Sequence, residues 1–160
     1  MCAKRHIIDI QVEEQVGPVD VKPLREAVST TLTYQGVTEP CEVVVVITDD
    51  EVLRDLNTRF RGIAEPTDVL SFADDTRGPL VGGGGQFPRY LGDIVISIDR
   101  ARAQAEAAGG TLMQELQLLT VHGVLHLLGH DHAEPAEKAA MWAAQAAILN
   151  MLGANIRLPE

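Results

Sequence analysis

Four of the five histidines fall within one short run, His122-Gly123-Val124-Leu125-His126-Leu127-Leu128-Gly129-His130-Asp131-His132. Ahead of it, Thr111 with Gln114 three residues on has the capping-box pattern, and Leu112, Leu116 and Leu119 mark one apolar helical stripe. His122 and His126 continue that stripe, so imidazoles stand where core leucines are expected. Residues four apart lie one turn, or about 6 Å, apart along a helix, which lets both rings meet one ion at Zn–N distances of about 2.0–2.1 Å. Gly129 can take the left-handed conformation that ends a helix and turns the chain back, bringing His132 to the same point. Three protein ligands with a fourth position left to water or substrate is the catalytic arrangement of zinc, whereas structural sites usually close all four. The pattern therefore predicts a helix in the C-terminal half of the chain that carries a metal site on His122, His126 and His132. The alternative is two core histidines satisfied by hydrogen bonds and two more in a polar turn. The spacing and the turn glycine together favour the metal.

The rest of the chain supplies a frame for that helix. His6 to Val12 alternates as a strand does, and residues 20–34 have helical spacing through Val21, Leu24, Ala27 and Leu32. The β-branched run Val43-Val44-Val45-Val46-Ile47 suits a strand covered on both faces. Thr48-Asp49-Asp50-Glu51 has the capping-box pattern of a helix running to Arg61, which gives its carboxylates a capping role rather than a metal-binding one. Val69 to Phe72 and Tyr90 to Ile98 read as strands. Between them, Gly82-Gly83-Gly84-Gly85 and two prolines mark a loop. No Gly-Lys-Ser/Thr follows the glycines, so they do not form a phosphate cradle of the P-loop kind. Helices follow over 99–108, 111–128 and 135–152. The fold class is α+β: a small mixed sheet of three to four strands packed with about five helices, in one domain spanning residues 1–160. Ala-rich residues 139–147 with Trp142 are expected to form a close-packed core helix.

A chain of this length should bury roughly two-thirds of the surface its unfolded form exposes, and so needs no disulfide to fold. Cys2 and Cys41 are expected to be reduced thiols. With no apolar leader and no run of 18 apolar residues, the expectation is a cytoplasmic protein with no membrane partner. The net charge of -10 argues against nonspecific nucleic-acid binding, and no DNA partner is expected. The charge is uneven, however. Between Arg54 and Arg102 seven arginines balance seven acidic residues, which leaves room for an arginine-bearing face on an acidic body.

The His-x-x-x-His-x-x-Gly-x-x-His spacing matches the zinc motif of the metzincin proteases, except that Gly123 stands where their helix carries the general-base Glu. Without that carboxylate, peptide hydrolysis lacks the group that moves a proton from water to the leaving amine. Metallopeptidase or another zinc hydrolase is thus the second reading.

Three blocks resemble the bacterial YbeY endoribonucleases, also described as ribosomal-RNA maturation factors. They are Leu56-Asn57-Thr58-Arg59-Phe60-Arg61-Gly62 with Pro66-Thr67-Asp68-Val69-Leu70-Ser71-Phe72, then Leu91-Gly92-Asp93-Ile94, then His122 through His132. Their order and spacing fit over roughly residues 40–152. The chain departs from the commoner pattern at His130, where the family often has Tyr, and in its longer Gly-rich loop. The resemblance implies a single-strand-specific, metal-dependent endoribonuclease with one zinc ion, or nickel or another divalent metal, on His122, His126 and His132. It implies action at the 3′ end of small-subunit ribosomal RNA and in ribosome quality control, with the small ribosomal subunit and its assembly factors as partners. It places a functional arginine at Arg61 rather than Arg59. By residue chemistry alone Arg61 could pair bidentately with a phosphate, or equally be a solvated residue at a helix end. Asp131 is expected to accept a hydrogen bond from a ligand imidazole. Glu115, two turns before His122, either orients something near the site or helps begin its helix. Thr67 and Ser71 contribute to a substrate surface or simply to a sheet edge. A third reading is a noncatalytic ribosome-assembly factor with a structural metal.

Overall fold

A computed structural model describes residues 6–74 and 88–154 of the chain. Cys2 and the Gly82–Gly85 stretch lie outside the described residues. Four strands, β1 (Ile7–Val12), β2 (Cys41–Thr48), β3 (Val69–Ala73) and β4 (Arg89–Ser97), form one sheet in the order β1-β2-β4-β3. β1, β2 and β4 are parallel, and β3 runs antiparallel to β4 at one edge. Five helices accompany them: α1 (Lys22–Tyr34), α2 (Asp50–Arg61), α3 (Ile98–Ala108), α4 (Leu112–Leu127) and α5 (Pro135–Met151). The mixed sheet and helix complement agree with the α+β expectation. A single 3-10 turn at Glu14–Val16 was not legible in the periodicity.

The two faces of β2 are covered unequally, against the expectation of full cover on both. Cys41, Val43, Val45 and Ile47 are fully buried, packed with Leu24, Val28 and Leu32 of α1 and Leu116, Leu119 and Val124 of α4. Val44 and Val46 are only half-buried; among the described residues, α2 covers that side, over Val46, Leu70 and Val95 through Leu53 and Leu56. A β-branched run reports strand propensity well, but how many layers cover it is decided by distant helices.

Helix α4 is buried on two sides. Leu116, Leu119 and Val124 face the sheet, while Leu118, Val121 and Leu125 pack with Met141, Ala144 and Ile148 of α5. Its start is the expected capping box, Thr111 Oγ1 accepting from Gln114 N at 3.1 Å and Gln114 Oε1 from Thr111 N at 2.9 Å. At α2 the cap is one residue later than the sequence pattern predicts. Asp49 accepts from Val52 N at 3.0 Å, because the Thr48 hydroxyl is engaged by the Glu13 carboxylate from the neighbouring 3-10 turn. Asp50 then ties α2 to α3 by accepting from Ser97 Oγ at 2.7 Å and Arg100 Nε at 3.3 Å. Cys41 is a free buried thiol, its pKa raised to about 11 by burial and by Glu39. Among the described residues no helix is long and apolar enough to cross a membrane.

Two glycines set how closely the layers approach the site. Gly123, on α4, lies against β4: a Cβ there would sit 2.7 Å from Ile94 Cγ2 and 3.0 Å from its Cδ1. Gly92 has φ of 147°, and a Cβ would collide with the Phe72 carbonyl oxygen of β3 and lie 2.8 Å from Leu127 of α4. It sits where the β2–β4 register shifts by one residue. Ser71 Oγ donates to the Gly123 carbonyl at 3.4 Å and completes the junction of β3, β4 and α4.

Candidate metal centre

The C-terminus of α4 is closed by two backbone bonds, Gly129 N to His126 O and His130 N to Leu125 O, both 3.0 Å, with Gly129 at φ 101°. This is the glycine-ended reversal expected from the sequence, and it returns the chain so that His132 faces the helix it has just left. His122, His126 and His132 then each offer a ring nitrogen, and these atoms all lie within 4.8 Å of one another. The His122 and His126 Nε2 atoms are 3.1 Å apart. A tetrahedral ion with bonds near 2.0–2.1 Å holds its ligand atoms about 3.4 Å apart, so the cluster has the dimensions of a metal site. No other group of three metal-ligating side chains occurs among the described residues.

His122 Nδ1 is 2.6 Å from Gln145 Oε1, on the buried face of α5. An amide oxygen only accepts, so Nδ1 carries the proton and the Nε2 lone pair is left pointing at the cluster. The half-buried Trp142, one turn earlier on α5, packs edge-on against both His122 and His132, with ring centroids 5.8 Å away in each case. The expectation that Trp142 only fills the core is therefore corrected: it also walls the centre. Asp131 does not accept from a ligand ring as expected. Its Oδ1 takes the His132 backbone N–H at 2.7 Å and fixes the turn instead. His130 faces the other way, its Nε2 3.2 Å from Gln35 Oε1 at the end of α1, and is not part of the cluster.

Burial lowers the pKa of His122, and that of His126 to about 4, with the neighbouring imidazoles adding to the effect. Neutral imidazole is the form that binds a metal, so burial prepares the ligands at neutral pH. The same burial acts oppositely on Glu115, which shares the histidine face of α4 and is 6% exposed. Its pKa is raised to about 7 by desolvation and by Asp68. Asp68 caps the start of β3, accepting from Val69 N at 2.8 Å and, through its other oxygen, from Gln104 Nε2 at 3.2 Å.

The three histidines open into a cleft of about 690 Å³ between α4 and the β3 edge. Phe60 and Arg61, the last residues of α2, line it too, as do Thr67 to Ala73. Arg61 is exposed and makes no ion pair among the described residues, whereas Arg59 pairs with Asp55 at 3.3 Å and is not part of the lining. The structure thus brings Arg61 and the three histidines to one cleft. Thr67 and Ser71 line it too, but Ser71 is also engaged with α4. Gln145, Trp142, Asp68 and Phe60 were missed as site residues by sequence reasoning. Only Gln145 left a signal, as the lone amide among Ala143, Ala144, Ala146 and Ala147.

The family profile described as Endoribonuclease YbeY matches residues 8–153. Among curated proteins, the Endoribonuclease YbeY of Chloroflexus aggregans is 44% identical over 149 residues, 92% of this chain and 97% of that protein. That of Roseiflexus castenholzii is 46% identical, covering 92% and 93%, and that of Bacillus licheniformis 42%, covering 92% and 95%. Among solved structures, a Thermotoga maritima protein determined in solution superposes with a TM-score of 0.59 at 25% identity, over 91% of this chain and 89% of its own. With its histidine cluster, its Gly123 and a match along nearly its whole length, the chain belongs to the YbeY endoribonuclease family.

Proposed function

We infer that the chain is a metal-dependent endoribonuclease that cuts single-stranded RNA in the cleft between α4 and β3, with His122, His126 and His132 holding one divalent ion. Zinc fits a trio of imidazoles, and nickel suits the same donors. The observation that carries the reading is the convergence of the three ring nitrogens on the wall of an open cleft, within a chain of this family. Its natural substrate is the 3′ region of small-subunit ribosomal RNA. The small ribosomal subunit and its assembly factors are its partners in the cytoplasm.

The ion, when bound, supplies Lewis-acid stabilisation of the negative charge that builds on a scissile phosphate. The chain's own residues arrange everything else. Gln145 holds His122 in the one tautomer that presents Nε2 to the centre. Asp131 fixes the His132 backbone, and Trp142 excludes water from the back of the cluster. Arg61, free of any acidic partner among the described residues and part of the same cleft lining, pairs with the phosphate. With a body charged at -10, affinity rests on this local arginine and on docking to the ribosomal subunit, so binding to free RNA is weak and strongly salt-dependent.

A peptidase is disfavoured by a specific contact. A Cβ on the residue after His122 would lie 2.7 Å from Ile94 Cγ2, so the glutamate that zinc peptidases use there would force this buried strand residue to shift. The test is metal content and cleavage of small-subunit precursor RNA, free and in assembled subunits, by wild type and His126→Ala. About one metal per chain with cleavage lost in the variant supports the reading; equal residual cleavage in both would transfer it to a noncatalytic assembly role.

A further inference from the structure

Phe60 is the most exposed large apolar side chain among the described residues, at 65%. It stands on the last turn of α2, directly before Arg61, and both line the same cleft as the three histidines. Its ring is not loose on the surface. Phe72 of β3 meets it edge-to-face, with centroids 5.2 Å apart and planes at 66°. Phe72 is itself anchored over Leu53, Leu70 and Val95. The result is a phenyl ring braced by the sheet, largely open to solvent, and next in sequence to a guanidinium that makes no ion pair among the described residues, both lining a polar cleft.

We propose that Phe60 is a nucleobase-stacking platform: an unpaired base of the RNA lies on its open face while the adjoining phosphate meets Arg61. This rests on the endoribonuclease reading and adds to it a residue that selects the substrate's form. A planar π face beside a cation is what a single strand recognises, because each nucleotide offers a base to stack and a phosphate to pair. A base inside a duplex already has both faces occupied by its neighbours and cannot use the platform. Preference for single strands therefore follows from Phe60 without any hydrogen-bond reading of sequence. An apolar protein partner fits less well: among the described residues few large apolar side chains are exposed, and the cleft that Phe60 lines also carries the charged Arg61 and Asp68.

The test compares metal-loaded wild type, Phe60→Leu and Phe60→Trp on a short single-stranded RNA and on a series in which one nucleotide at a time is abasic. Leu keeps the apolar bulk and lacks the aromatic face; Trp restores it. In wild type, one abasic position next to the scissile phosphate should raise KM about tenfold, within the range typical of base–aromatic stacking. In Phe60→Leu the intact strand should show that same rise, and the abasic substitution should add nothing further, since residues that interact are non-additive. Phe60→Trp should keep both the wild-type KM and the abasic penalty. Because Phe60 is exposed, unchanged thermal melting of all three proteins is expected and checks the fold. Identical abasic profiles in wild type and Phe60→Leu, with cleavage intact in both, would overturn the platform and leave the endoribonuclease reading standing. Failure of fully metal-loaded wild type to cut any RNA would overturn that reading, and the platform with it.

Discussion

Gln145 Oε1 accepts the Nδ1 proton of His122 at 2.6 Å, from a position 1% exposed in the middle of α5. An alanine-rich helix with no chemistry of its own thus decides which nitrogen of the first histidine faces the metal centre. Partners of this kind are typically worth about 10–100-fold in metal affinity. Gln145→Leu keeps the volume and removes the acceptor, so it should weaken zinc binding by about that factor. Competition with a chromophoric chelator measures it, and unchanged affinity would show that the tautomer is fixed by something else.

Arg61 and Arg59 lie two residues apart but in different surroundings, the first on the cleft wall and the second paired with Asp55 at 3.3 Å. Arg61→Ala should lower kcat/KM for RNA by about 10²-fold, the scale of losing one charge-stabilising donor. Arg59→Ala should leave it within about twofold, since exposed i,i+4 pairs contribute only a few tenths of a kcal/mol. Both should melt with the wild type. Equal losses in the two variants would mean that the phosphate is met by a broad basic face rather than by one residue.

Gly123 leaves a Cβ only 2.7 Å from Ile94 Cγ2, and the neighbour is a buried strand residue. Gly123→Ala should therefore cost about 1–3 kcal/mol of stability by overpacking. Gly123→Glu should cost more and should confer no peptidase activity. Pairing Gly123→Ala with Ile94→Ala, which removes Cγ2 from the opposing chain, should cost less than the sum of the two single changes. Urea unfolding of the single and double variants measures this, and strict additivity would refute the contact as the cause.

Glu115 is an acid whose folded pKa is raised to about 7 from an ordinary 4.5, first by burial and then by Asp68. Between those values the folded chain keeps a proton that the unfolded chain has released. Its contribution is therefore most favourable below pH 4.5 and is lost as pH rises through about 7. His126 acts in the opposite sense in the metal-free protein. With its folded pKa near 4 against 6.5 unfolded, it costs stability as pH falls below 6.5. Subtracting Glu115→Gln from wild type isolates the acid. The variant should be more stable than wild type at pH 8 by on the order of 1–2 kcal/mol, the gap closing toward pH 5. Denaturant unfolding of chelator-treated proteins at several pH values checks this; a gap that does not change with pH would show that Glu115 is ionised in the fold throughout.

Much of the centre was legible locally, because helical periodicity and end signals act over one or two turns. His122 and His126 share a face by spacing alone, the Thr111 box begins their helix, and Gly129 ends it and returns His132. The β-branched run likewise announced β2. Signals that depend on competition between neighbours were less faithful. Thr48 fits a cap by pattern but is held by Glu13, so Asp49 caps α2. His130 is as close in sequence as any ligand but turns to Gln35, 95 residues away.

The sequence by itself determined the histidine cluster, the helix that carries most of it and the order of elements, since each is written in residue types a few positions apart. Only the tertiary structure decided what surrounds the ligands. Gln145 and Trp142 reach His122 across the α4–α5 packing, Phe60 and Arg61 line the same cleft, and Ile94 occupies the space that a residue larger than Gly123 would need. Such contacts join positions tens of residues apart, and their geometry follows from how sheet and helices pack rather than from any local pattern in the chain.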